Sequence, residues 1–135
     1  MSVHHEKLSV STEKHETTID VTARVRAAVT RSKVREGICV VNVAHTTAAV
    51  FVNENADPDV QRDLLHQLAK LVPKDGDYRH AEGNSAAHIK AVLVGNDVAL
   101  SIQDGELDLG TWQAIYLAEF DGPRERSATV TVIGD

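Results

Sequence analysis

Ile38-Cys39-Val40-Val41-Asn42-Val43-Ala44-His45-Thr46-Thr47-Ala48-Ala49-Val50-Phe51-Val52-Asn53-Glu54 holds two β-branched runs separated by a few polar residues. Ile38 to Val43 is almost continuously apolar, the composition of a strand buried on both faces. Ala49 to Glu54 reads as a second strand. The link between them is short, so His45 sits at a strand tip or bend, where functional groups on a rigid sheet concentrate. The plain alternative for His45 is a turn histidine bonded to nearby backbone.

Working outward, Glu6 to Lys14 alternates Leu8, Val10 and Thr12 against polar neighbours, which predicts an edge or outer strand. Thr17-Thr18-Ile19-Asp20 leads into Val21, Val25, Ala28 and Val29 at helical spacing, with Asp20 as cap and an end near Ser32. Asp57 and Pro58 open a second helix whose apolar stripe is Val60, Leu64, Leu65, Leu68 and Leu71; Pro73 stops it, and His66 falls on its polar side. A third helix starts at Asn84 or Ser85 and ends near Val94-Gly95-Asn96. Strands then follow at Val98–Ile102, Leu107–Leu109, Ala114–Phe120 and Ala128–Ile133, separated by turns at Asp104-Gly105 and Asp121-Gly122-Pro123-Arg124. Three helices with seven or eight strands predict an α+β fold on a largely antiparallel sheet or sandwich.

A length of 135 residues suits one domain with a real core. No run approaches the ~18 apolar residues of a membrane span, and Met1 to Lys7 lacks an apolar signal region, so the expected location is the cytoplasm. Cys39 is the single cysteine, set among valines as a small buried hydrophobe. The net charge of −6, with Lys and Arg scattered, argues against nucleic acid as a partner.

The candidate chemistry centres on Tyr78-Arg79-His80-Ala81-Glu82-Gly83-Asn84-Ser85-Ala86-Ala87-His88-Ile89-Lys90. Asn84 or Ser85 can cap the helix and make its start a floor for an anion. If the loop folds back, His80 and His88 face one pocket; otherwise one is solvated and the other is an ordinary helix residue. His45, His80 and His88 together would make a three-imidazole ligand set for zinc or a similar cation. Their spacings, 35 and 8 residues, match no short metal signature. Glu119 or Asp57 could add a base, and without a metal the histidines could act as acid and base near neutrality. Arg124 is a candidate fork for phosphate or carboxylate, assisted by Arg126 or Lys90. Trp112 and Gln113 either line a ligand pocket or, for the indole, plug the core.

The motifs His45-Thr46-Thr47-Ala48-Ala49, Asn53 to Val60, His80 to Lys90, Leu109 to Gln113 and Glu119 to Arg126, in that order, resemble the YjbQ family, also called UPF0047 or the secondary thiamine-phosphate synthase family. The resemblance spans nearly the whole chain. It implies a compact α+β sandwich, assembly as a homotrimer with clefts near the subunit boundaries, and weak thiamine-phosphate synthase activity. Position by position, it places the family's histidines at His45, His80 and His88, and its acidic and basic site residues at Asp57, Glu119 and Arg124.

That synthesis joins a pyrimidine diphosphate to a thiazole phosphate, which calls for a divalent metal and basic groups around a diphosphate. Arg124, Arg126, Lys90 and Arg79 are available, but no glycine-rich phosphate loop is present. Two readings stand. In the first, the chain is an enzyme with a divalent metal, zinc or magnesium, at the three histidines. Glu119, Asp57 and Arg124 are then catalytic, and a phosphorylated small molecule sits on Asn84, Ser85, Lys90, Trp112, Gln113 and Arg124. In the second, it is a non-catalytic small-ligand-binding or trimeric assembly module.

Overall fold

The chain changes sheets at Val43–Thr47. In a computed structural model that describes all residues, Met1–Asp135, β3 (Gly37–Asn42) and β4 (Ala48–Glu54) flank this crossover. The other elements are β1 (Ser2–Ser11), β2 (Thr17–Asp20), α1 (Thr22–Ser32), α2 (Pro58–Leu71), α3 (Ser85–Val94), β5 (Asp97–Gln103), β6 (Glu106–Leu107), β7 (Gln113–Glu119) and β8 (Glu125–Gly134). A five-stranded sheet runs β1-β8-β3-β5-β6 and a three-stranded sheet runs β2-β7-β4. Every pairing is antiparallel. The fold is therefore the expected α+β class, and no helix is long and apolar enough to cross a membrane.

One core is drawn from both sheets and from the Val25, Ala28 and Val29 face of α1. A smaller cluster lies on the other side of the three-stranded sheet, where Ala49, Ala118 and Phe120 meet Ala87 and Ala91 of α3, with Leu65 and Leu68 of α2 alongside. The strand buried on both faces is consequently β7, whose residues Ala114 to Glu119 are all buried. The apolar composition of Ile38–Val43 predicts that role for β3 instead. There only Cys39 and Val41 face inward, while Ile38 is exposed, because nothing in the chain covers the outer face of the five-stranded sheet.

Three further differences have local causes. β1 runs Ser2–Ser11 instead of Glu6–Lys14, because the last strand pairs with it from Ser2↔Gly134 to Ser11↔Glu125. Thr17–Asp20 reads in sequence as a lead-in to α1, yet the four residues form β2 and pair with Tyr116 to Glu119 of β7. Three of its four residues are β-branched, but a run this short that leads straight into a helical pattern does not announce a strand. In α2, Asp57 caps as expected, Oδ1 accepting from the Asp59 amide at 2.9 Å. The apolar stripe of α2 is only half covered, and Leu71 is exposed.

α3 packs against expectation for an apolar helix. Its alanines and Lys90 face the sheet, whereas Val92 and Leu93 are 82% and 60% exposed. Gly95 ends the helix with φ 101°, a left-handed value that favours glycine. Its carbonyl accepts from the Val50 amide at 3.1 Å, and the carbonyl of Asn96 accepts from Val43 at 2.8 Å, so the end of α3 is tied to both sides of the crossover.

Candidate functional site

The crossover, the first turn of α3 and the β7–β8 turn form a cleft of about 320 Å³ lined by His45, Thr47, Glu82, Asn84, His88, Asp121, Arg124 and Arg126. A second cavity of about 440 Å³ adjoins it through the same two histidines and is otherwise lined mainly by Ala48, Ala91, Val92 and Asn96.

Behind the cleft lies a buried ion pair. Glu119, the last residue of β7, is fully buried, and Arg126 near the start of β8 is almost so. Glu119 Oε1 accepts from Arg126 Nε at 2.9 Å and from the Thr12 hydroxyl at 2.7 Å. Oε2 accepts from Arg126 Nη2 at 2.5 Å and from the Asp121 amide at 3.0 Å. Burial alone would raise the Glu119 carboxyl, but the bonds from Arg126, Thr12 and the Asp121 amide outweigh it and hold the group below the usual range. Arg126 Nη2 also donates to Thr47 Oγ1 at 2.7 Å and Thr47 O at 3.2 Å. With both oxygens engaged and no exposure, Glu119 is an anchor for Arg126 and does not reach a substrate. This departs from its expected place as a base.

Turn geometry makes this pairing possible. A Cβ on Gly122 would stand 2.2 Å from the Lys14 carbonyl oxygen, so only glycine lets the β7–β8 turn lie against the chain after β1.

His45 is half-buried, and its Nε2 accepts the Ser127 amide hydrogen at 3.0 Å. Desolvation and the adjacent Arg126 charge lower its pKa despite the nearby Glu119 carboxylate and the Ser127 bond, and accepting that amide hydrogen requires Nε2 to be the unprotonated ring nitrogen. Across the cleft, Asp121 Oδ2 accepts from Asn84 Nδ2 and from Arg124 Nη2, each at 2.9 Å, while Arg124 Nε donates to the Asp121 carbonyl at 2.8 Å. Asp121 is held below its ordinary pKa: burial raises it, and the bonds from Asn84 and Arg124 outweigh burial. Asn84 therefore starts α3 without capping it through its side chain, and its Oδ1 is buried with no protein partner.

The three histidines do not form one ligand set. His80 and His88 line an open groove with Tyr78, Ser85 and Ile89, their ring centroids 5.3 Å apart, and His88 alone reaches both that groove and the cleft with His45. No group of three or more His, Cys, Asp or Glu side chains stands close enough to hold a cation. His45 has also committed Nε2 to a backbone amide. The donors of one chain thus do not fit the expected three-histidine metal site.

Other candidates lie elsewhere. Asp57 is exposed and caps α2. Trp112 is 62% exposed at the start of β7, neither in the cleft nor in the core. Gln113 Oε1 accepts from the Gly110 amide and stabilises its own turn. Lys90 is buried against Phe120 with Nζ 5.4 Å from the ring centroid and is paired with Glu16; it lines a separate small cavity on the other side of Asn84 and Asp121 and is not among the residues of the cleft.

Sequence alone does not single out Asp121, Thr12 or Thr47 as site residues, and it offers Arg126 only a supporting part. A signal existed for the core of this group. Thr12 continues the inward parity of Leu8 and Val10, Arg126 shares the parity of Ala128, Val130 and Val132, and Glu119 closes an otherwise apolar run. Opposite charges at inward strand positions predict a buried pair.

The profile of the family described as UPF0047 protein YjbQ-like matches residues 6–135. A UPF0047 protein of Methanocaldococcus jannaschii is 49% identical over 129 residues, covering 96% of this chain and 94% of its own. A crystal structure of an uncharacterized conserved protein of the yjbq/upf0047 family from Clostridium acetobutylicum superposes with a TM-score of 0.94 at 52% identity, covering 95% of this chain and 99% of its own. A YbjQ-like protein of unknown function from Sulfolobus solfataricus superposes with a TM-score of 0.96 at 34% identity, covering 99% of both chains. The chain belongs to the YjbQ-like family, UPF0047.

Proposed function

We propose that the chain is a small-molecule enzyme that binds a phosphorylated substrate in the cleft between His45 and His88. The observation that carries this reading is that Arg124 and Arg126 both line the cleft and each leaves Nη1 without a protein partner. Two guanidinium edges in one cleft suit the oxygens of a phosphate or diphosphate. Their carboxylate partners, Asp121 and Glu119, cancel much of the charge. Recognition would then come from oriented hydrogen bonds at short range, with only a modest dependence on salt.

Within this reading, His45 donates from Nδ1 to the substrate, and His88 exchanges a proton with it as general acid or base. The adjoining cavity receives the rest of the molecule. Thiamine-phosphate synthesis, implied by the sequence resemblance, is compatible as a side activity, because a diphosphate leaving group would meet the same two forks. A zinc or magnesium ion would need either a movement of the His80 loop or donors from a neighbouring chain.

The test is chemical-shift mapping during titration with inorganic pyrophosphate, followed by assay of thiamine-phosphate formation in wild type and His88→Ala. The reading expects shifts at the Asn84 side-chain amide, the His88 ring and Arg124, together with loss of turnover in the variant. Shifts confined to lysines outside the cleft would overturn it.

One observation favours the assembly reading as a companion. The Val92 and Leu93 side of α3 is apolar, exposed and contiguous with the second cavity. A homotrimer that covers it would place each cleft beside a subunit boundary. Val92→Asp should then dissociate the assembly in sedimentation, and an unchanged mass would remove α3 from the interface.

A further inference from the structure

The proposed chemistry requires a histidine with a defined hydrogen, and the residues behind His45 supply the means to define it. The Ser127 amide donates to His45 Nε2 at 3.0 Å. Its neighbour Arg126 is held at Nε and Nη2 by Glu119, at 2.9 and 2.5 Å, and reaches back to Thr47 Oγ1 at 2.7 Å and Thr47 O at 3.2 Å. Thr47 lies two residues after His45. One guanidinium therefore grips both the strand that carries the donor and the crossover that carries the acceptor.

Because Nε2 must accept, the neutral ring carries its hydrogen on Nδ1. The opposite tautomer would set two N–H groups against each other and leave the Ser127 amide unpaired, a bias of roughly ten- to a hundredfold.

We propose that Arg126, anchored by Glu119, is a positioning residue that fixes His45 in its Nδ1–H tautomer, so that His45 offers the cleft a hydrogen-bond donor and no acceptor. This rests on the reading of the cleft as a substrate site. It goes beyond that reading by giving the buried pair a task and by assigning His45 one direction of proton traffic. A substrate oxygen, and not a substrate N–H or a cation, is the partner that such a ring accepts. The charged groups around the ring are Arg126 and Glu119 behind it, with Glu82, Asp121 and Arg124 on the cleft.

The test is long-range ¹H–¹⁵N correlation of ring-labelled histidine in substrate-free protein, comparing wild type, Arg126→Gln and Thr47→Val. Wild type should show His45 with a protonated Nδ1 and an unprotonated Nε2. Both variants should admit a measurable share of the other tautomer while the remaining histidines keep their patterns. Thr47→Val removes only the hydroxyl arm, so the readout survives if Arg126→Gln does not fold. A hydrogen on Nε2 in wild type, or an unchanged tautomer in a folded variant, would overturn the proposal. Because no ligand is present, this outcome is independent of pyrophosphate titration. Failure of that titration beside the expected tautomer would reject the cleft reading and leave the positioning relationship standing.

Discussion

His80 and His88 meet edge to face, with ring centroids 5.3 Å apart and planes at 88°. Glu82 stands beside the pair, its Oε2 3.8 Å from His80 Nε2. The three side chains do not stand close enough together to hold a cation. The fold is held by two apolar clusters and the Glu119–Arg126 pair.

Removal of divalent cations should accordingly leave the monomer fold intact, since a metal stabilises a protein only through the native-state site it occupies. Thermal unfolding of tag-free protein with and without a chelator should give the same Tm. A marked fall with chelator would mean that metal ligation supports the fold.

The buried ion pair carries a much larger stability effect. Replacing Glu119 by Ala strands the Arg126 guanidinium, which is only 4% exposed at its side chain. Loss of one partner of such a pair costs about 3–5 kcal/mol. Urea unfolding of Glu119→Ala should show that loss, and a change below about 1 kcal/mol would show that water replaces the carboxylate.

The acid limb of stability should respond to Glu6. Its carboxylate accepts from Arg31 Nη2 at 2.6 Å and Arg31 Nε at 2.9 Å, and lies 2.6 Å from His4 Nε2. These bonds, Arg31 first, bring its pKa from 4.5 to about 2. A carboxyl whose folded pKa is depressed contributes stability above its ordinary value and loses it as pH falls through the folded value. The gap in Tm between wild type and Glu6→Gln should be full at pH 7 and should close between about pH 4.5 and 2. A gap that persists at pH 2 would assign it to some cause other than ionisation.

Much of the fold was readable because its signals are local. Asp57-Pro58 starts α2 through a cap that needs only neighbouring amides, and Val25, Ala28 and Val29 bury as the helical period requires. What escaped depends on distant partners. β2 exists because β7 offers Tyr116 to Glu119 as a template, and the outer half of β3 is bare because no helix lies over it. In the site, Asn84 reads as a helix cap, but Asp121 claims its side chain. Lys90 reads as a phosphate ligand, but Glu16 and Phe120 enclose it. His45 sits at the bend its spacing predicted, and its partner, the Ser127 amide, leaves no trace in residue identity because any residue but proline supplies one.

The central claim is that the guanidinium edges of Arg124 and Arg126 hold a substrate phosphate beside His45 and His88. The most direct measurement is the dissociation constant of inorganic pyrophosphate for wild type and Arg124→Gln, at two ionic strengths, with the fold of each checked by circular dichroism. The account predicts binding about tenfold or more weaker in the variant, as expected for a lost charge-assisted bond, and a small salt dependence in wild type. Equal affinity in the two proteins would contradict it.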